Sequence, residues 1–202
     1  MDVKVWLGGD GPSEVGDRDR GGERVGALEA MLRRVEPSGW RLEGATQWRF
    51  IRKFRVGAAV GNDTHGDIRN VAGLVNEAYE AGCEVVAFAR DVDAEPERVE
   101  VVARAIEYVE ELFPTVAVIG GCAVPALEGW ILALIGVRDT EAMSRSRCNQ
   151  RLADHGLEGK HAEDYVGVIA NADLARLPPG CDGLVAWLER ARGVLARAIR
   201  GE

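Results

Sequence analysis

The sequence predicts an α/β fold, with a mainly parallel central sheet flanked by helices and a helical C-terminal extension. Short β-rich apolar runs at residues 3–7, 83–89 and 115–119 each stop abruptly in glycine or charged residues. Amphipathic stripes of helical period lie between them. Strand and helix alternating in that way build a parallel sheet, because parallel neighbours need a crossover that packs on a sheet face. At 202 residues the chain has the length of one domain. We read residues 1–137 as the α/β domain and residues 138–202 as an extension packed on it.

Val3-Lys4-Val5-Trp6-Leu7 is the first strand, and Gly8-Gly9-Asp10-Gly11-Pro12-Ser13 is too rich in glycine to continue it. A helix over residues 23–35 follows, with Val25, Leu28, Leu32 and Val35 on one stripe. Residues 67–81 form another through Ile68, Val71, Val75 and Ala78, and Gly82 stops it. The buried strand 83–89 runs into Arg90-Asp91-Val92-Asp93. Pro96 then opens a helix whose Val99, Val102, Ile106, Val109 and Phe113 share a face, and Pro114 ends it. After the strand 115–119 and Gly120-Gly121, Pro125 opens an apolar helix through Glu128 and Trp130 to Ile135. Residues 138–179 are polar and broken, and residues 182–199 make a last amphipathic helix with Leu184, Leu188, Ala191 and Leu195 on one side. The charged, glycine-rich segment 16–22 reads as a loop.

A hydrophobic share of 47% excludes a disordered chain, and 33 acidic against 25 basic residues, net −8, weighs against a general nucleic-acid coat. The apolar stretches, such as residues 123–127 and 130–137, fall short of the roughly 20 residues that span a bilayer. No basic segment followed by a long apolar run opens the sequence, so the expected location is cytoplasmic. Cys83, Cys122, Cys148 and Cys181 lie far apart with no C-x-x-C pair, which argues against a zinc knuckle and a secreted disulfide framework.

In an open parallel sheet, ligands collect beyond the carboxyl ends of the strands. The residues there are acidic: Asp10 and Glu14 after the first strand, Asp91 and Asp93 after the middle one, Glu128 on the helix after the next. Gathered carboxylates repel one another unless a cation neutralises them, and an oxygen-rich, thiol-free set favours Mg²⁺ or Mn²⁺. Where the chain is extended, residues two apart project to the same side, so Asp91 and Asp93 could share that metal. The block GGDGPSEVG lacks the Gly-Lys-Ser/Thr ending of a P-loop and the G-x-G-x-x-G spacing of a dinucleotide fold, and a turn before a capped helix accounts for it equally well.

An acid-Gly-Pro-Ser-Glu segment after the first strand, a D-x-D after a later one and a Leu-Glu-Gly-Trp-Ile-Leu-Ala helix together resemble a Toprim domain. The likeness is to a small Toprim-like branch near the OLD-family nucleases, which shows V-E-G-x-S/T-E, then D-x-D, then E-A-W-L-L-A. It spans roughly residues 3–135, and RLADHGLEGKHAEDY is similar to that branch's C-terminal region. The resemblance implies a Toprim-like (Rossmann-like) fold and magnesium-dependent nuclease chemistry. Asp10 matches the glutamate given proton transfer or metal contact, Asp91 and Asp93 match the metal-binding pair, and Glu14 and Glu128 match further acidic positions of the branch. It also implies a role in phage defence or a similar module, with a partner ATPase. Asp10 departs from the family's Glu, and one methylene less draws the carboxylate back by about 1.5 Å, which shortens its reach for proton transfer.

Gln47-Trp-Arg-Phe-Ile-Arg-Lys-Phe-Arg55 places Arg49, Arg52, Lys53 and Arg55 among Trp48, Phe50 and Phe54 with no acid between them. Such interleaving suits phosphate contact and base stacking, although a surface strand or helix with its apolar side inward is the commoner meaning of a basic run. His65, His155 and His161 have no partner at ligand spacing and read as surface or capping residues; Ser13 is not in a G-x-S-x-G elbow; Trp130 reads as core. The leading expectation is metal-dependent phosphodiester processing, with Asp91 and Asp93 on the metal, Asp10 managing a proton or second metal, and Glu128 in support. The alternatives are a non-catalytic Toprim-shaped interaction or regulatory subunit, and an aspartate-nucleophile phosphatase of the haloacid dehalogenase type, for which D-x-D after a strand is also a hallmark.

Overall fold

The computed structural model describes residues 2–17, 22–54, 66–159 and 161–202. Four parallel strands, β1 (Val3–Gly9), β2 (Trp40–Gln47), β3 (Val85–Phe88) and β5 (Ala117–Ile119), form a sheet in the order β2-β1-β3-β5. Two short strands, β4 (Arg90–Asp91) and β6 (Cys122–Ala123), pair in parallel as a separate ladder just after β3 and β5. The helices are α1 (Pro12–Val15), α2 (Ala27–Val35), α3 (Gly66–Glu80), α4 (Arg98–Leu112), α5 (Leu127–Leu134), α6 (Arg145–Asp154), α7 (Ala162–Asn171) and α8 (Asp182–Arg200). The chain is therefore α/β and Rossmann-like, with a helical C-terminal part.

Alternation along the strands sorts the core into two layers, since neighbouring residues of a strand face opposite sides of the sheet. Val5, Leu7, Val85 and Ala87 pack with Leu28, Leu32, Trp130 and Leu188 from α2, α5 and α8. Val86 and Phe88 pack on the other side with Ile68, Val71, Val102 and Ile106 from α3 and α4. After β1 the chain turns outward to β2 and then crosses back to β3, so the order of connections reverses between β1 and β3. A crevice at such a reversal is where open α/β sheets bind ligands.

The β2 strand lies where no strand is expected from the sequence. It forms an edge, its Arg41 and Glu43 are exposed, and Gly44 interrupts its pattern. The glycine has a packing reason: a Cβ there would come within 2.5 Å of the Trp6 ring. The register with β1 slips at the same place, Val5 facing Leu42 and Trp6 facing Gly44. The segment 138–179 also contains two ordered helices, α6 and α7, and α7 packs against α2. No helix among the described residues is long and apolar enough to cross a membrane.

Candidate metal centre

Local structure at the end of β1 folds the acidic loop back on itself. Gly11 and Pro12 start the single turn α1, and Gly16 N–H donates to the Pro12 carbonyl at 2.9 Å. Glu14 is thereby turned toward the strand end, where its Oε2 accepts the Asp10 amide. Gly9 makes room for this, since a Cβ at that position would lie 2.6 Å from Glu14 Oε2. The glycine run that could have been a plain turn is thus the floor under a glutamate.

The other carboxylate arrives on β4. Asp91 N–H donates to Asp10 Oδ2 at 3.1 Å, which ties the ends of β1 and β3 together. Asp91 Oδ1 in turn accepts the Leu127 amide at 2.9 Å. Leu127 begins α5, and its amide is one of those that a helix leaves without an internal partner. The helix N-cap position is Ala126, which has no side-chain acceptor, so Asp91 caps α5 from a distant segment.

Asp10, Glu14 and Asp91 each offer an oxygen within 4.8 Å of the other two. Two oxygens on one Mg²⁺ at about 2.1 Å each stand no more than about 4.2 Å apart, so little closing movement completes the cage. An all-oxygen donor set of this kind suits Mg²⁺ or Mn²⁺. Glu14 and Asp91 are buried and Asp10 is 25% exposed on its side chain, which leaves one open side. Burial, reinforced by Asp91 and Asp10, pushes the Glu14 carboxyl well above its usual range. Burial, reinforced by Asp10, lifts Asp91 to about 7. Burial and mutual repulsion thus favour the protonated forms of Glu14 and Asp91, and Arg145 only partly offsets them at Asp91.

The residues proposed from sequence separate at this point. Asp10 and Asp91 converge and Glu14 completes the trio, but Asp93 is not one of the three. Its φ is +55°, so the chain has left the extended conformation on which same-side projection depended. Asp93 is half exposed and pairs instead with Arg145 and, at 3.8 Å, with Arg98. Glu128 is buried beside the trio and stands 3.9 Å from Arg145 Nη2.

Arginines that sequence reasoning passed over hold the cluster. Arg90 donates to Asp10 and, at 3.0 Å, to Asp67 Oδ1. Arg98 donates to Asp67 Oδ2 at 2.9 Å and to the Asp91 carbonyl at 2.8 Å. Burial opposes ionisation of Asp67, but the Arg90 and Arg98 guanidiniums outweigh it and hold the carboxyl below its usual value. Arg145, at the start of α6, reaches Asp91 Oδ2 at 3.2 Å as well as Asp93. The position of Arg90 directly before Asp91 was the one available signal; Asp67, Arg98 and Arg145 come from separate segments with none.

The basic segment follows β2 and therefore lies at the same carboxyl edge of the sheet. Trp48, in a short 3₁₀ turn (Trp48–Phe50), and Ile51 are buried, while Arg49, Phe50, Arg52 and Lys53 are exposed. Arg49 lies over the Phe50 ring at 4.6 Å. Trp48 Nε1 donates to Asp67 Oδ1 at 3.2 Å, so one carboxylate joins this segment to Arg90 and, through it, to Asp10. Arg55, His65 and part of the loop 16–22 lie outside the described residues. His155 and His161 are exposed residues at the end of α6 and the start of α7. No family model matches the chain, and no curated protein or solved structure matches it either.

Proposed function

We propose that this chain is a Toprim-type, divalent-metal-dependent phosphodiester-processing protein, nuclease-like in its chemistry and acting on nucleic acid with a partner ATPase. The observation that supports it most is the convergence of Asp10, Glu14 and Asp91 at the reversal point of the sheet. A divalent cation held by those three would polarise a phosphoryl oxygen and offset the charge that builds up on phosphoryl transfer. The remaining work belongs to the chain itself. Arg90 and the Asp91 amide fix both oxygens of Asp10, and the Leu127 amide fixes Asp91. Arg49, Arg52 and Lys53 would hold a nucleic-acid backbone along the same edge, with the exposed Phe50 ring available to stack on a base.

A second reading, an interaction subunit of the same shape without catalysis, is favoured by one observation. Arg90 and Arg145 already act as counter-ions to Asp10 and Asp91. The test is cleavage of single- and double-stranded DNA and RNA with Mg²⁺ or Mn²⁺, against a chelator control and an Asp91→Asn variant. Metal-dependent cleavage that Asp91→Asn abolishes supports the enzyme; no cleavage of any substrate by wild type or by Asp10→Glu favours the subunit.

A further inference from the structure

Tyr165 lies on the inner face of α7 with 1% of its surface exposed, and its hydroxyl has no hydrogen-bond partner among the described residues. A phenylalanine would fill the same place in the apolar core without taking a hydroxyl out of water. Buried polar groups in folded proteins are nearly always paired, so an orphan calls for a partner that completes it.

The surroundings indicate which partner. Helix α7 packs against α1, which carries Glu14, and against α5, which carries Glu128. Burial, followed by the negative charges of Glu128, Asp91 and Glu14, holds the proton on the phenol, which makes it a standing donor beside acceptors. Arg145 Nη2 stands 3.9 Å from Glu128 Oε1, and of the neighbouring charges that of Glu128 bears most on the buried phenol.

We propose that Tyr165 is a positioning residue of the acidic centre: its hydroxyl donates to the Glu128 carboxylate, directly or through one water, and so fixes Glu128 against the Asp10, Glu14 and Asp91 oxygens when a divalent cation is seated. This rests on the reading of that centre as a cation site. Groups that orient the residues around a metal are typically worth about 10–100-fold in metal affinity.

The test is Mn²⁺ affinity by calorimetry for wild type, Tyr165→Phe, Glu128→Ala and the double variant, with melting in chelator as the control for folding. Tyr165→Phe is expected to melt in chelator at or above the wild-type temperature while binding Mn²⁺ about 10–100-fold more weakly. In the Glu128→Ala background the same change is expected to have little further effect, because the two act through one contact. Wild-type affinity in Tyr165→Phe, or an undiminished effect without Glu128, overturns the proposal and leaves the cation site standing. Absence of Mn²⁺ binding by wild type overturns both. Should Tyr165→Phe not fold, 3-fluorotyrosine at position 165 gives a second reading: Mg²⁺ is expected to shift its ¹⁹F resonance, and an unmoved resonance with bound Mg²⁺ overturns the proposal.

Discussion

Arg145 Nη2 stands 3.2 Å from Asp91 Oδ2, so a guanidinium from the first turn of α6 already serves as counter-ion to the carboxylate best placed to hold a metal. Arg145 is also partly open to solvent, which lets it leave without unfolding anything. Arg145→Gln removes a charge that competes with an incoming cation. We expect Mn²⁺ to bind about fivefold more tightly, the equivalent of about 1 kcal/mol for a partly exposed pair, and the metal-free protein to melt lower. Calorimetry beside a melting curve checks both, and weaker Mn²⁺ binding would contradict the account.

The raised Asp91 carboxyl gives stability a particular pH dependence. Between the ordinary value near 3.8 and about 7, the folded chain keeps a proton that the unfolded chain releases. Stability from this group therefore falls as pH rises through that window and stays low above it. Asn at position 91 has no proton to lose and still offers Leu127 an acceptor. In chelator, Asp91→Asn is expected to gain on wild type between about pH 5 and about pH 8, and parallel melting-temperature curves would contradict the burial argument. Added Mn²⁺ is expected to raise the wild-type melting temperature more at the higher pH.

Asp67 works in the opposite direction. Its lowered carboxyl binds two arginines, so its contribution is present above the ordinary value and lost as pH falls below it. Asp67→Ala leaves Arg98 buried with one fewer partner and frees Trp48 and Arg90 from a shared acceptor. The expected loss is about 3 kcal/mol, read by chemical denaturation; a loss below about 1 kcal/mol would mean that the arginines rearrange at little cost.

The exposed cations after β2 act through charge. Replacing Arg49, Arg52 and Lys53 together by Ala is expected to weaken nucleic-acid binding and to flatten its salt dependence by about three charges' worth of counter-ion release. Trp48 and Ile51, which anchor the segment, are untouched, so circular dichroism is expected to stay the same. Unchanged binding and salt slope would leave the segment a surface turn.

The parts legible in the sequence are those where one face of an element is uniformly apolar. The strands β1, β3 and β5 and the helices α3, α4 and α8 satisfy that condition, and their ends locate Asp10 and Asp91. By contrast, β2 is an edge with Arg41 and Glu43 in solvent, and α6 buries little more than Cys148 and Leu152. Asp93 misled because its spacing was read on an extended chain, whereas its backbone is left-handed. Asp67, Arg98 and Arg145 meet the site across long stretches of sequence, and no local pattern announces such a meeting.

The central claim is that Asp10, Glu14 and Asp91 form one cation site. Calorimetric titration of Mn²⁺ into wild type, Asp10→Ala, Glu14→Gln and Asp91→Asn tests it most directly, because binding is read whatever the substrate and partner. One site per chain in wild type, weakened in all three variants and most in Asp91→Asn, is the predicted result. No binding at about millimolar Mn²⁺, the weak end of protein–cation affinities, or equal binding by wild type and all three variants, would contradict it.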